Sequence, residues 1–202
     1  MLVIGLTGGI GCGKSIVSNI FQQDFNISII DADTIARELT QTTRVSEILY
    51  QDLGAEYFDN ARALQRDKLR QAVFSNPEIR HKLENILHPL VYEEIYHKLK
   101  SLNTDYCIVV IPLLLETKRT NLIDRTLVVD CTIEEQIHRV MLRDKCSETH
   151  VKAIIATQIR RDERLQLADD VIENHDSMKS LRAKIAILHE KFSMQKGAAK
   201  PS

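Results

Sequence analysis

Short apolar stretches rich in β-branched residues alternate along the chain with longer segments whose apolar positions recur every three or four residues. This is the pattern of a parallel sheet covered by helices. It predicts strands over residues 3–7, 27–31, 106–111, 126–131 and 170–173. Between the first two it predicts a helix over 14–24, with Val17, Ile20 and Phe21 as its inward stripe. The interval 33–102 holds several helical patterns and no convincing strand, so it reads as a helical insertion on the sheet. Within it, Asn76 and Pro77 predict an N-cap and a first helical residue. His88-Pro89 predicts an interruption, because the residue before a proline avoids the helical region. Thr132 with Glu135 forms a capping box that opens a helix bearing Arg139 and Arg143. Ser177 caps a last helix with Leu181, Ile185, Leu188 and Phe192 on one face, and the small polar tail 195–202 reads as a frayed end.

Composition narrows the setting. The 202 residues carry 27 basic and 28 acidic side chains, a formal charge of −1, 44% apolar residues and no Trp. A chain of this length buries about 70% of its unfolded surface, enough for a core without disulfides or metal staples. Balanced charge gives little field to attract a nucleic-acid backbone or an acidic membrane surface. The longest apolar runs, 2–6 and 107–115, fall short of the ~20 residues a membrane-spanning helix needs. No targeting segment is evident, and a cytoplasmic protein is expected. Four scattered cysteines, Cys12, Cys107, Cys131 and Cys146, form no C-x-x-C pair and signal neither zinc nor a disulfide framework.

The strongest chemical signal is Gly8-Gly9-Ile10-Gly11-Cys12-Gly13-Lys14-Ser15, which fits G-x-x-x-x-G-K-[ST]. It stands after an apolar strand and before an amphipathic helix, as a phosphate-binding loop must. Its glycines let backbone N–H groups converge on phosphate oxygens while the helix aims its positive dipole end at the same anion. Lys14 is placed to bridge the β- and γ-phosphates, Ser15 to give its hydroxyl to Mg²⁺, and the Ile16 amide to reach the α-phosphate. Cys12 either contributes its amide alone or is a thiol acidified at a helix N-terminus.

The chain lacks N-K-x-D for guanine, a D-x-x-G switch and an L-S-G-G-Q signature, which leaves a small-molecule kinase, a nucleotide or nucleoside kinase among the choices, with a non-catalytic ATP-sensing module as the contrasting reading. Such an enzyme needs an acceptor-side group and cations against transferring charge. Asp31-Ala32-Asp33 closes the second strand, where ligands bind in open α/β sheets. Asp33 is the candidate acceptor-side base; Asp31 holds metal-bound water or caps the next helix. Seven Lys or Arg against four Asp or Glu over 139–164 suggest a mobile lid. Arg139 and Arg143, four apart, can point at one anion; Arg160, Arg161 and Arg164 follow Gln158 on a second segment. A solvated helical face is the alternative.

These residues together resemble the dephospho-coenzyme A kinase family over nearly the whole chain. The resemblance is carried by IGLTGGIGCGKS at the start, IIDADTIAR at 29–37, LENILHPLV at 83–91, IPLLLE at 111–116, RVMLRD at 139–144 and ADDVIEN at 168–174. It implies an α/β fold: a P-loop NTPase-type parallel five-stranded sheet flanked by helices, with a helical CoA-binding insertion over 33–102 and a helical lid over 133–167. The nucleotide-binding core is then 1–32, 103–132 and 168–202. It further implies ATP-dependent phosphorylation of the ribose 3′-hydroxyl of dephospho-CoA, with Mg²⁺. The partners are the two small-molecule substrates, with no nucleic acid, no membrane, and a monomeric or weakly homo-oligomeric chain. By the same resemblance Asp33 is the catalytic base and Arg143 the lid arginine nearest the transferred phosphoryl. Arg66 and His88-Pro89 fall on the CoA-domain pattern, and Asn174 lies near the adenine; His88 could equally be a hydrogen-bonded core residue. Two positions depart from the family. Cys12 stands where many members have Ser, and Val110 where many have Asp, so no conventional Walker B carboxylate is expected there.

Overall fold

The structure, a computed structural model, describes residues 1–117 and 121–195. The end of the predicted frayed tail, 196–202, lies outside the described residues. Five strands, β1 (Leu2–Gly8), β2 (Ile29–Asp31), β3 (Tyr106–Val110), β4 (Arg125–Asp130) and β5 (Asp170–Glu173), form one all-parallel sheet in the order β2-β3-β1-β4-β5. The helices in chain order are α1 (Lys14–Phe25), α2 (Ala32–Leu39), α3 (Thr43–Leu53), α4 (Arg66–Ser75), α5 (Pro77–Ser101), α6 (Leu114–Thr117), α7 (Ile133–Asp144), α8 (Glu148–Ala156), α9 (Arg161–Gln166) and α10 (Met178–Met194). The chain divides into two compact units, one of Met1–Asp31 with the residues from Leu102 onward, the other of Ala32–Ser101.

In the first unit every residue of β1 and β3 is buried. Their unbroken apolar runs are what strands need when both faces are covered. The core joins Ile4, Leu6, Leu127, Val129 and Ile172 of the sheet to Val17, Phe21, Ile185 and Phe192 of α1 and α10. The sequence stripes on both helices therefore face the sheet. Strand β1 pairs with β3 on one side (Leu2 opposite Tyr106) and with β4 on the other (Ile4 opposite Arg125). That central position sets the loop after β1 in the middle of the sheet's carboxyl edge. Strand β2 begins two residues later than the pattern predicts. The Ile27 N–H is already spent on the Phe21 carbonyl (3.2 Å), closing the end of α1 behind a left-handed Asn26.

The second unit is helical, as expected, and packs on its own core of Val45, Leu49, Leu53, Tyr57, Phe58 and Leu69. Asn76 caps α5 as the sequence predicts, its Oδ1 accepting from the Glu78 N–H at 2.9 Å. The interruption predicted at His88-Pro89 is not there: α5 runs unbroken through Pro89. Proline in a helix interior removes a hydrogen bond, here to the Asn85 carbonyl, and costs about 3 kcal/mol. Burying an apolar side chain returns about 1.5–3 kcal/mol. Leu83, Ile86 and Leu87 pack against the unit's core before the proline, and after it Leu90 packs on the same core while Val91, Ile95 and Leu99 are buried. Packing on both sides outweighs one lost bond.

Candidate active site

The loop between β1 and α1 closes where Gly13, left-handed at φ 94°, caps the helix. No other residue fits: a Cβ at Gly13 would lie 2.3 Å from the Asn174 side-chain amide, and one at Gly8 would lie 2.3 Å from the Val129 carbonyl oxygen. The Cys12 N–H donates to the Gly9 carbonyl (3.2 Å) and the Ile16 N–H to the Gly13 carbonyl (3.0 Å), so the turn and the helix's first turn are internally tied. Lys14 folds back over the loop, its Nζ donating to the Gly8 carbonyl at 2.8 Å and the Gly9 carbonyl at 3.2 Å. Ser15 is exposed on the first turn of α1.

The flanks of the loop come from β4, β5 and the segment between α8 and α9. Asn174, buried after β5, donates its side-chain amide to the Cys12 carbonyl at 2.7 Å. It braces the loop rather than offering that amide outward. Gln158 accepts from the Ile10 N–H through Oε1 at 3.0 Å, and Glu116 accepts from the Ile159 N–H at 3.2 Å. Asp130, its side chain 2% exposed at the end of β4, receives both Nε and Nη2 of Arg161. That bidentate pairing holds the Arg161 guanidinium above its ordinary pKa. Cys12 and Cys131 are buried with their sulfurs 3.1 Å apart. The Cys131 S–H bond and then the Arg164 and Lys14 charges lower the Cys12 thiol despite burial; donating that bond and being buried push Cys131 up.

Arg164 is the decisive neighbour. It is 4% exposed, and a Cβ at Gly9 would meet its Nη2 at 3.1 Å. Among the described residues its Nε has no hydrogen-bond partner, and no salt bridge joins it to a carboxylate. Its polar contact is a marginal one, Nη1 to the Ile159 carbonyl at 3.5 Å. The same point above Gly9 lies 2.9 Å from the Gln136 Oε1, also buried and unpartnered. A buried cation without a counter-ion is expensive. An anion on the loop would relieve it.

The two arginines singled out on α7 do not converge. Arg139 donates Nη2 to Glu135 (3.0 Å) and to the Asn174 carbonyl (2.7 Å), while Arg143, largely exposed, is held bidentate by its neighbour Asp144 at 2.7 Å. Their i,i+4 spacing allowed a shared target, but each found a nearer acid. In the second unit, Asp33 is exposed in the first turn of α2, which begins directly after β2. Arg66 donates to the Arg37 carbonyl and the Thr40 hydroxyl, and His88 is half-buried in α5. Sequence reasoning gave no role to Gln158, Gln136 or Asp130. The available signal was positional for Asp130, an acid closing the strand that neighbours the loop-bearing one.

A central parallel strand, a glycine loop, a lysine folded over it and a buried arginine beside it define a P-loop kinase fold. Solved structures agree. The shikimate kinase of Bacteroides thetaiotaomicron superposes with a TM-score of 0.54 over 94% of this chain and 97% of that one, at 15% identity, which speaks to the fold alone. The dephospho-CoA kinase of Campylobacter jejuni is 27% identical with a TM-score of 0.69 over 95% and 97% of the two chains. The dephospho-CoA kinase family model matches residues 2–180. Dephospho-CoA kinases of Vibrio parahaemolyticus (43% identity over 95% of this chain and 94% of the relative) and Nitrosomonas europaea (44% over 96% of each) are similar over nearly their full lengths. The chain belongs to the dephospho-CoA kinase family.

Proposed function

We propose that the chain transfers the γ-phosphoryl group of ATP to the ribose 3′-hydroxyl of dephospho-CoA, giving CoA and ADP, the last step of CoA biosynthesis. The observation that carries this reading is the unpaired, buried Arg164 beside Gly9 on a complete phosphate loop, in a chain of this family. The loop amides of 8–15 and the α1 dipole take the β-phosphate. Lys14 swings from the Gly8 and Gly9 carbonyls to the β- and γ-phosphates, and Arg164 neutralises charge that spreads over the γ-oxygens as the loose transition state forms. Asp33 orients the 3′-hydroxyl and accepts its proton late in transfer. Arg143 leaves Asp144 when the lid segment 133–167 closes, and Arg139 follows through Glu135. Arg66 and His88 hold the CoA portion of the acceptor, and Asn174 supports the adenine end by fixing the loop.

The donors at the loop fit Mg²⁺. Among the described residues no group of three His, Cys, Asp or Glu could hold a resident metal. The exposed Ser15 hydroxyl is a hard oxygen donor suited to a cation that keeps its waters and arrives with phosphate. Ser15 is the side chain that would hold Mg²⁺, and the ion would supply neutralisation of phosphate charge there.

The test is an ADP-release assay with ATP, Mg²⁺ and dephospho-CoA, alongside AMP, adenosine and no acceptor. ADP release that requires dephospho-CoA, with a product of the mass of CoA, is expected. Turnover with AMP or adenosine but not dephospho-CoA overturns the reading.

A further inference from the structure

We propose that Cys12 and Cys131 form a hydroperoxide-reactive dithiol whose oxidation to a disulfide disables the phosphate loop. Cys12 lies inside the loop and Cys131 directly follows β4, 119 residues apart in sequence, yet their sulfurs are 3.1 Å apart. A disulfide bond is about 2.05 Å long, so the two sulfurs need close by only about 1 Å. Both side chains are fully buried and face each other rather than solvent. The other two cysteines serve as internal contrasts. Cys107 sits within β3 with its thiol pushed up to about 12 by burial, and Cys146 is partly exposed beyond α7.

The roles within the pair are unequal. The Cys131 S–H donates to the Cys12 sulfur, and the Arg164 and Lys14 charges favour thiolate at Cys12. Cys12 is therefore the attacking sulfur and Cys131 the resolving one. The Cys12 thiolate attacks one peroxide oxygen and breaks the O–O bond, leaving Cys12 as a sulfenic acid and releasing hydroxide, which takes up a proton to become water. The Cys131 sulfur then displaces the hydroxyl from Cys12, and its own proton leaves with that hydroxyl as a second water. Two thiols and one hydroperoxide thus give one disulfide and two waters, or an alcohol and water from an alkyl peroxide.

The disulfide acts on the loop because the turn has no slack. The Cys12 carbonyl is held by Asn174 at 2.7 Å, and even a Cβ at Gly13 has no room beside that amide. Drawing the Cys12 sulfur towards β4 shifts the amides on either side of it, and these are the groups that must converge on phosphate. Peroxide reaches the buried pair through local opening of the loop. Nucleotide, by holding the loop, slows the reaction.

Purified protein is treated with hydrogen peroxide, with and without ATP and Mg²⁺, then denatured, its thiols counted and its peptides mapped. The expected result is a fall from four free thiols to two, with one cross-linked peptide pair joining Cys12 to Cys131. ATP affinity measured by calorimetry falls at least tenfold and is restored by dithiothreitol, and ATP present during oxidation slows the cross-link. Cys131→Ser should form no cross-link and keep basal activity, while a dimedone adduct appears at Cys12; Cys107→Ser should cross-link like the parent. Retention of four thiols, a cross-link to Cys107 or Cys146, or a Cys12–Cys131 disulfide with unchanged ATP affinity overturns the proposal. The thiol count and peptide map do not depend on the acceptor, so they stand apart from the identity of the substrate.

Discussion

Two arginine-bearing helices of the first unit, α7 and α9, have opposite fates although both read as lid in the sequence. On α7, Arg139 and Arg143 are taken up by Glu135 and Asp144, acids within a turn of each. On α9, Arg161 reaches the buried Asp130 and Arg164 is buried against the phosphate loop with no carboxylate among the described residues. The difference lies in the local acids rather than in the spacing of the cations. A surface pair contributes at most about 1 kcal/mol and is easily exchanged for a better anion. A buried guanidinium without an acid is committed to an anion from outside.

The contrast yields a ranking. Arg164→Ala should lower kcat by roughly 10²–10³, as loss of a preorganised transition-state contact does; steady-state kinetics checks this, and Arg164→Lys should recover part of the loss. Arg161→Ala leaves Asp130 buried without its partner, and should cost about 1–3 kcal/mol of stability, read as a lowered midpoint in denaturant. Arg143→Ala should reduce kcat about tenfold with KM for ATP nearly unchanged, since its charge is called on only in transfer. A loss equal to that of Arg164→Ala would erase the distinction between the helices. Gln158→Ala removes the acceptor of the Ile10 N–H and should weaken ATP binding by about 1 kcal/mol in calorimetry. Arg160→Ala, at a side chain 81% exposed and paired to Asp162, should leave kcat within about a factor of two.

Much of this was legible in the sequence, for identifiable reasons. The loop Gly8 to Ser15 combines a strict spacing with an obligatory strand and helix around it, and buried parallel strands leave unbroken apolar runs. The capping box at Thr132 and the caps at Asn76 and Ser177 are local hydrogen bonds encoded by adjacent residues. What failed depended on distant contacts. Pro89 argued for a break only as long as the apolar packing around α5 was invisible. Arg143 and Arg164 are indistinguishable as letters in a basic run. Only burial beside Gly9 separates them. The Cys12–Cys131 pair was equally hidden, because nothing in a spacing of 119 residues announces two sulfurs in contact.

The sheet order has a consequence for the growing chain. Strand β1 is made first, but its nearest partners begin at Tyr106 and Arg125. At about 5–20 residues per second, the first strand and its glycine loop wait roughly 5–20 s on the ribosome for a neighbour. The helical unit Ala32–Ser101 is contiguous, and its contacts are local enough to form during that wait. The unit that carries the glycine loop is thus begun before the helical unit and completed after it, and the residues that flank that loop come together only after β4 has emerged.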